Sequence, residues 1–151
     1  MTTAAIAVSG LTKRFGGLLA LDDVSFSAQP GQVLGIVGVN GVGKTTLMNC
    51  VCGIYKPDQG SILIDGHDTT GRAPHEVAHR GIGRTFQIPR VFRKMSLIDN
   101  LLVPVLAQRK PDSVLLAQAE AMLEQMNLLA LRHNFAAVSY THLRAHETVL
   151  D

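Results

Sequence analysis

The sequence predicts an α/β fold, on three observations. Residues 33–37 read Val-Leu-Gly-Ile-Val, an unbroken apolar run, which is the pattern of a parallel strand buried on both faces. A glycine-rich stretch follows at once, and a helical pattern opens at Lys44. Strand signals crowd into residues 1–88, while helical periodicity prevails between about 90 and 135.

Element by element, residues 4–8 and 24–26 have the β-branched and aromatic content of short strands. Phe15-Gly16-Gly17 and Pro30-Gly31 are turn signals. After the strand predicted at 33–37, Lys44–Val51 reads as a helix with Leu47, Cys50 and Val51 on one face. Residues 56–60 form a turn, 61–64 a strand, and Asp65-Gly66 closes it. Pro74–His79 suits a short helix with proline in its first turn. Residues 81–86 alternate enough for a further strand. Ser96 is placed to cap a helix over 96–103, with Asp99 three residues on. Residues 112–131 form the last predicted helix, with Val114, Leu115, Ala119, Met122, Leu123, Met126 and Leu129 near helical spacing.

Composition narrows the function classes. The chain has 151 residues, enough for a domain with a real core. Only 17% are charged, below the usual quarter, and mean hydropathy is +0.19. An alanine- and leucine-rich composition accounts for this, and so does a surface partly covered by a partner. A formal charge of +2 and a pI near 8.7 are too weak and too evenly spread for a nucleic-acid partner. No apolar run approaches the ~18 residues of a membrane span, and the N-terminus lacks signal-peptide character, so a cytoplasmic protein is expected. Cys50 and Cys52 read as reduced, small, buried residues, and too few ligands surround them for a metal site.

The chemistry lies in the pattern G-x-x-x-x-G-K-[ST] from Gly38 to Thr45. Gly41 and Gly43 allow backbone angles that a side chain forbids and leave room for phosphate oxygens. Successive N–H groups, with Asn40 among them, then form an anion nest, and the helix opening at Lys44 adds its partial positive charge. Lys44 is expected to reach the β- and γ-phosphates, Thr45 to ligate Mg²⁺, and Thr46 to contact a phosphate oxygen. The fold class is therefore a P-loop NTPase core. The motif alone leaves kinases, GTPases, helicases and transport ATPases open.

Over roughly residues 5–137 the chain resembles the ATP-binding subunits of ABC transporters. Phe15, in Lys13-Arg14-Phe15-Gly16-Gly17, falls where that family places an aromatic that stacks on adenine. An ordinary core phenylalanine is the alternative. Residues 53–62 resemble the family's post-helix turn and strand, and Thr85-Phe86-Gln87 its glutamine loop. The resemblance implies that Gln87 contacts Mg²⁺ and the attacking water, where the core joins the helical subdomain. Residues 14–20, 83–87 and 91–101 look like the ATPase subunits of branched-chain amino-acid importers. The basic stretch 80–94 sits where such subunits meet a permease, a solvated basic face being the alternative.

The resemblance implies ATP and Mg²⁺ as cofactors, with Lys44 and Gln87 catalytic. It implies a second ABC ATPase subunit, identical or not, and membrane permease subunits as partners, but no nucleic acid. It places the protein peripherally on the cytoplasmic face of the inner (plasma) membrane. It divides the chain into an antiparallel β subdomain with the P-loop core (1–88), the start of a helical subdomain (89–137) and a tail (138–151). The family's signature, its strand ending in Asp-Glu and its later histidine have no counterpart in these 151 residues. The tail, Val138-Ser139-Tyr140-Thr141-His142 onward, is expected to be non-native, and the fragment to be inactive. An ABC-type ATPase without a transport role, a small P-loop kinase and a fragment with no catalytic activity are the rival readings.

Overall fold

The computed structural model describes residues 4–86, 91–105 and 111–136. The chain divides into two compact units, Met1–Thr85 and Phe86–Asp151. Gln87 and residues 138–151 lie outside the described residues, as do 88–90 of the basic stretch.

In the first unit, strands β1 (Ile6–Phe15), β2 (Leu18–Ala28), β3 (Gln59–Ile64) and β4 (His67–Asp68) form one antiparallel sheet in the order β2-β1-β3-β4. β1 and β2 are much longer than the short strands expected at 4–8 and 24–26, because each supplies the other's ladder through the tight Gly16-Gly17 turn. Val8 is the middle of one cross-sheet row, opposite Phe26 on one side and Ile62 on the other. β4 was not expected from sequence. It follows from Asp65-Gly66, whose φ values of 47° and 76° are both left-handed, as a type I′ hairpin turn requires.

Helix α1 (Lys44–Val51) lies on this sheet and buries Leu47, Cys50 and Val51, the face its periodicity predicts. These side chains pack with Val8, Leu11, Leu21 and Ile62 into the unit's core. The helix ends at Gly53 (φ 74°), where Gly53 N–H donates to Cys50 O and Ile54 N–H to Asn49 O. Both cysteines are free and buried. α2 (Pro74–His79) has the bounds read from sequence, and Glu76 accepts the Ala73 N–H at 3.0 Å.

Two expected strands are absent. Residues 33–37 form no strand, and Val33 and Val37 are each 96% exposed. A run apolar on both faces needs ladder partners on both edges and cover on both faces. Among the described residues no strand pairs with it. Residues 81–86 are likewise irregular, for want of a neighbouring ladder.

In the second unit, α3 (Leu97–Leu102) begins with the expected cap: Asp99 N–H donates to Ser96 Oγ at 3.1 Å, and Asp99 Oδ2 accepts the Ser96 N–H. α4 (Asp112–Gln125) stops short of the predicted residue 131. Asn127 takes a left-handed φ of 56°, Asn127 N–H donates to Glu124 O, and Leu128 N–H to Leu123 O. That is a Schellman stop with asparagine in glycine's usual place. Of the predicted face, Leu115, Ala119 and Leu123 are buried, whereas Val114, Met122 and Met126 are exposed. Ile98, Ala119 and Leu123 form this unit's core. Among the described residues, no helix is long and apolar enough to cross a membrane.

Candidate phosphate-binding site

The site is built where the glycine loop enters α1. Gly43 is the N-cap residue, with φ 98° and ψ 2°. A Cβ there would drive into the Ala20 carbonyl oxygen and come within 3.1 Å of Leu21 Cδ2, so β2 leaves no space for any other residue. No side chain caps α1, and its first turn carries no acid. The N–H groups opening the helix are therefore free of the usual Ser, Thr or Asp acceptor, which suits an incoming anion.

Lys44 folds back over the loop. Its Nζ donates to Gly38 O at 2.5 Å and to Val39 O at 2.7 Å. The ammonium is thus held among the loop's carbonyls, beside the nest it is expected to serve. Gly38 enters the site through this carbonyl, and Val42 N–H closes the loop onto Val39 O at 3.4 Å.

Phe15, Leu18, Leu19, Ala20, Asn40, Gly41, Gly43, Lys44, Thr45 and Thr46 line one cleft of about 270 Å³. The β1–β2 hairpin thereby brings Phe15, 42% exposed, to the phosphate loop, although about 25 residues of sequence separate them. The sequence-predicted residues Phe15, Asn40, Gly41, Gly43, Lys44, Thr45 and Thr46 thus share one space. Gln87 lies outside the described residues.

Sequence reasoning passed over two features. A second cavity of about 490 Å³ shares Lys44 and Thr45 and is otherwise lined by Leu34, Ile36, Met48, Gly83, Arg84 and Thr85. Arg84 Nη1 donates to Asn49 Oδ1 at 2.6 Å, pinning the segment 83–85 to α1. Phe15 also has neighbours of its own: Tyr55 edge-on at 5.2 Å between ring centroids, and the Lys13 ammonium 5.4 Å from its ring centre. The Arg14 N–H and the Lys13 ammonium hold the Asp58 carboxyl below its ordinary range.

A loop that turns through a left-handed glycine into an uncapped helix, its lysine folded back over it, belongs to a P-loop NTPase core. A family model described as ABC transporter matches residues 21–145, and the chain belongs to the ABC transporter family. Among curated proteins it is similar to the high-affinity branched-chain amino acid transport ATP-binding protein BraF of Pseudomonas aeruginosa. The two are 46% identical over 68% of this chain and 40% of that protein. The corresponding LivG protein of Escherichia coli is 44% identical with the same coverage. The chain spans about two-fifths of the length of these relatives. Among solved structures, the ADP conformation of MJ1267, an ATP-binding cassette of an ABC transporter, matches with a TM-score of 0.76 and 32% identity, over 90% of this chain and 59% of that one. The cbiO1 protein of Clostridium perfringens, part of the ABC transporter complex cbiONQ, matches at 0.73 and 25%, over 88% of this chain and 54% of that one.

Proposed function

We propose that this chain is the nucleotide-holding front portion of the ATPase subunit of an ABC importer, and that the importer carries branched-chain amino acids. The cleft that joins Phe15 to the phosphate loop is the observation that carries the nucleotide reading. It gathers a flat apolar ring, N–H groups, an ammonium and two hydroxyls in one space. A nucleoside triphosphate carries the complementary groups, a purine and a chain of phosphates. The substrate class is supported by the printed names of BraF and LivG.

In this reading Phe15 stacks on adenine, and the backbone of Gly38, Asn40, Gly41 and Gly43 cradles the phosphates. Lys44 exchanges its loop carbonyls for the β- and γ-phosphate oxygens. Thr46 donates to a phosphate oxygen. The Thr45 hydroxyl, a hard oxygen donor in the cleft, would hold Mg²⁺. The metal's contribution is neutralisation of phosphate charge. Lys44 adds fixed positive charge as water attacks in line, and Gln87 orients that water. The Gln87 role rests on its resemblance to the family's glutamine loop. The intact protein pairs with a second ATPase subunit and sits on permease subunits at the cytoplasmic face of the membrane.

The 151-residue sequence contains no signature pattern and no apolar run ending in Asp-Glu. We therefore expect it to bind Mg-ATP without sustained turnover. Binding is followed by thermal shift and by titration, with Lys44→Ala weakening it at least about tenfold, the loss of a charge-assisted contact. Equal Mg-ATP affinity in Lys44→Ala sinks the site assignment. A steady ATPase rate that disappears in Lys44→Ala sinks the expectation of inactivity.

A further inference from the structure

Phe15 is the last residue of β1, one step before the Gly16-Gly17 turn. A half-exposed ring at a hairpin end has little to hold it. The β3 ladder gives no help, since its pairing with β1 ends at Thr12 opposite Gln59. The segment between α1 and β3 takes over where that ladder stops. Asp58 N–H donates to Thr12 O at 2.9 Å. Asp58 Oδ1 accepts from Lys13 Nζ at 3.1 Å, and Oδ2 accepts the Arg14 N–H at 2.6 Å. One residue thus grips three consecutive residues of β1, and the fourth is Phe15.

The ring itself is met from the same segment. Tyr55 stands edge-on to Phe15 at 75° between ring planes, the arrangement aromatic pairs favour. The Lys13 ammonium, fixed by Asp58, lies within cation–π reach of the Phe15 ring. Tyr55 is delivered by the end of α1, where Ile54 N–H and Tyr55 N–H both donate to Asn49 O at 2.8 and 3.1 Å. The first turn of that same helix carries Lys44, Thr45 and Thr46. The phosphate loop therefore enters one end of α1, and the segment that supports Phe15 leaves the other.

We propose that Tyr55 and Asp58 are positioning residues that hold Phe15 ready to stack on the nucleotide base, so that they set affinity for nucleotide but not for bare polyphosphate. A ring already fixed loses less freedom on stacking than a mobile one, and the difference is felt only by a ligand that carries a base. The inference rests on the reading of Phe15 as the base-stacking ring.

The test is a chemical-shift titration of the full 151-residue chain with Mg-ATP and, separately, with Mg-tripolyphosphate, a readout that follows weak as well as tight binding. Tyr55→Leu and Asp58→Ala are each expected to weaken Mg-ATP about three- to tenfold, the size of a lost aromatic pair, while tripolyphosphate affinity stays within about twofold. Tyr55→Phe keeps the ring pair and retains wild-type affinity for both ligands. Equal weakening of both ligands in the folded Leu and Ala variants means a general structural role and overturns the proposal. So does unchanged Mg-ATP affinity in both variants when Phe15→Ala weakens it. Unchanged affinity in Phe15→Ala overturns the base-stacking reading, and the proposal falls with it.

Discussion

Replacing Gly43 by alanine sets a methyl group against the backbone of β2 at the point where the phosphate loop becomes a helix. Two costs arise. The residue is held at φ 98°, beyond the left-handed well open to an L-residue, which costs about 1–3 kcal/mol. The methyl also meets the Ala20 carbonyl oxygen and, at 3.1 Å, Leu21 Cδ2. The first is backbone within the β1–β2 ladder, so relief requires moving α1 or β2, an overpacking cost of about 1–3 kcal/mol. The sum is about 2–6 kcal/mol, a large fraction of the ~5–15 kcal/mol that stabilises a typical domain. Gly41 has φ 84° but nothing within 4 Å of its would-be Cβ, so Gly41→Ala carries only the conformational cost of about 1–3 kcal/mol. Gly17 is not left-handed and is equally open, so Gly17→Ala is neutral or stabilising by up to about 1 kcal/mol. Urea denaturation of the three variants tests the order Gly43 > Gly41 > Gly17, and an Mg-ATP titration of the folded fraction follows the loop. A Gly43→Ala chain with the wild-type midpoint and Mg-ATP affinity would refute the argument that β2 dictates glycine there.

Two further predictions follow from burial and capping. Desolvation pushes the Cys50 thiol above its ordinary 9.0, with Lys13 opposing and Asp58 reinforcing the rise. The folded thiol keeps its proton where the unfolded one loses it, so this contribution is complete below about pH 9 and declines as pH rises toward the folded value. Stability measured between pH 8 and 10.5 should show an alkaline decline that is smaller in Cys50→Ala, and an identical slope in both chains would contradict this. In the second unit, Ser96→Ala removes the acceptor of the Asp99 N–H and is expected to cost about 1 kcal/mol, read as faster amide exchange across α3. Unchanged exchange would mean that the cap contributes nothing.

Short-range features were legible from the chain alone. Lys44–Val51 and Pro74–His79 have the bounds the sequence predicts, and Ser96 caps α3 as expected, because each depends on residues within one helical turn. Asp65-Gly66 closes β3 as the sequence predicts, although the returning strand β4 is not legible there, and Asn127, which ends α4, is a short-range stop that the periodicity runs past. The apolar run 33–37 reads as a buried strand, yet it is exposed and, among the described residues, pairs with no strand. An apolar run states what a segment needs, whereas ladder partners and covering layers come from elsewhere in a chain.

The amino-acid sequence by itself determined that this is an α/β protein and set out the pattern of a phosphate loop, since the glycines, lysine and threonines of that pattern lie within one loop and the helical turn that follows it. Only the tertiary structure decided what that loop faces. The β1–β2 hairpin carries Phe15 across to the loop, β2 makes glycine obligatory at 43, and the turn after α1 brings Tyr55 and Asp58 behind the ring. These are contacts between residues some 20 to 45 positions apart, and no local pattern encodes them, because a distant neighbour is set by how the strands pair and where the helix lies on them.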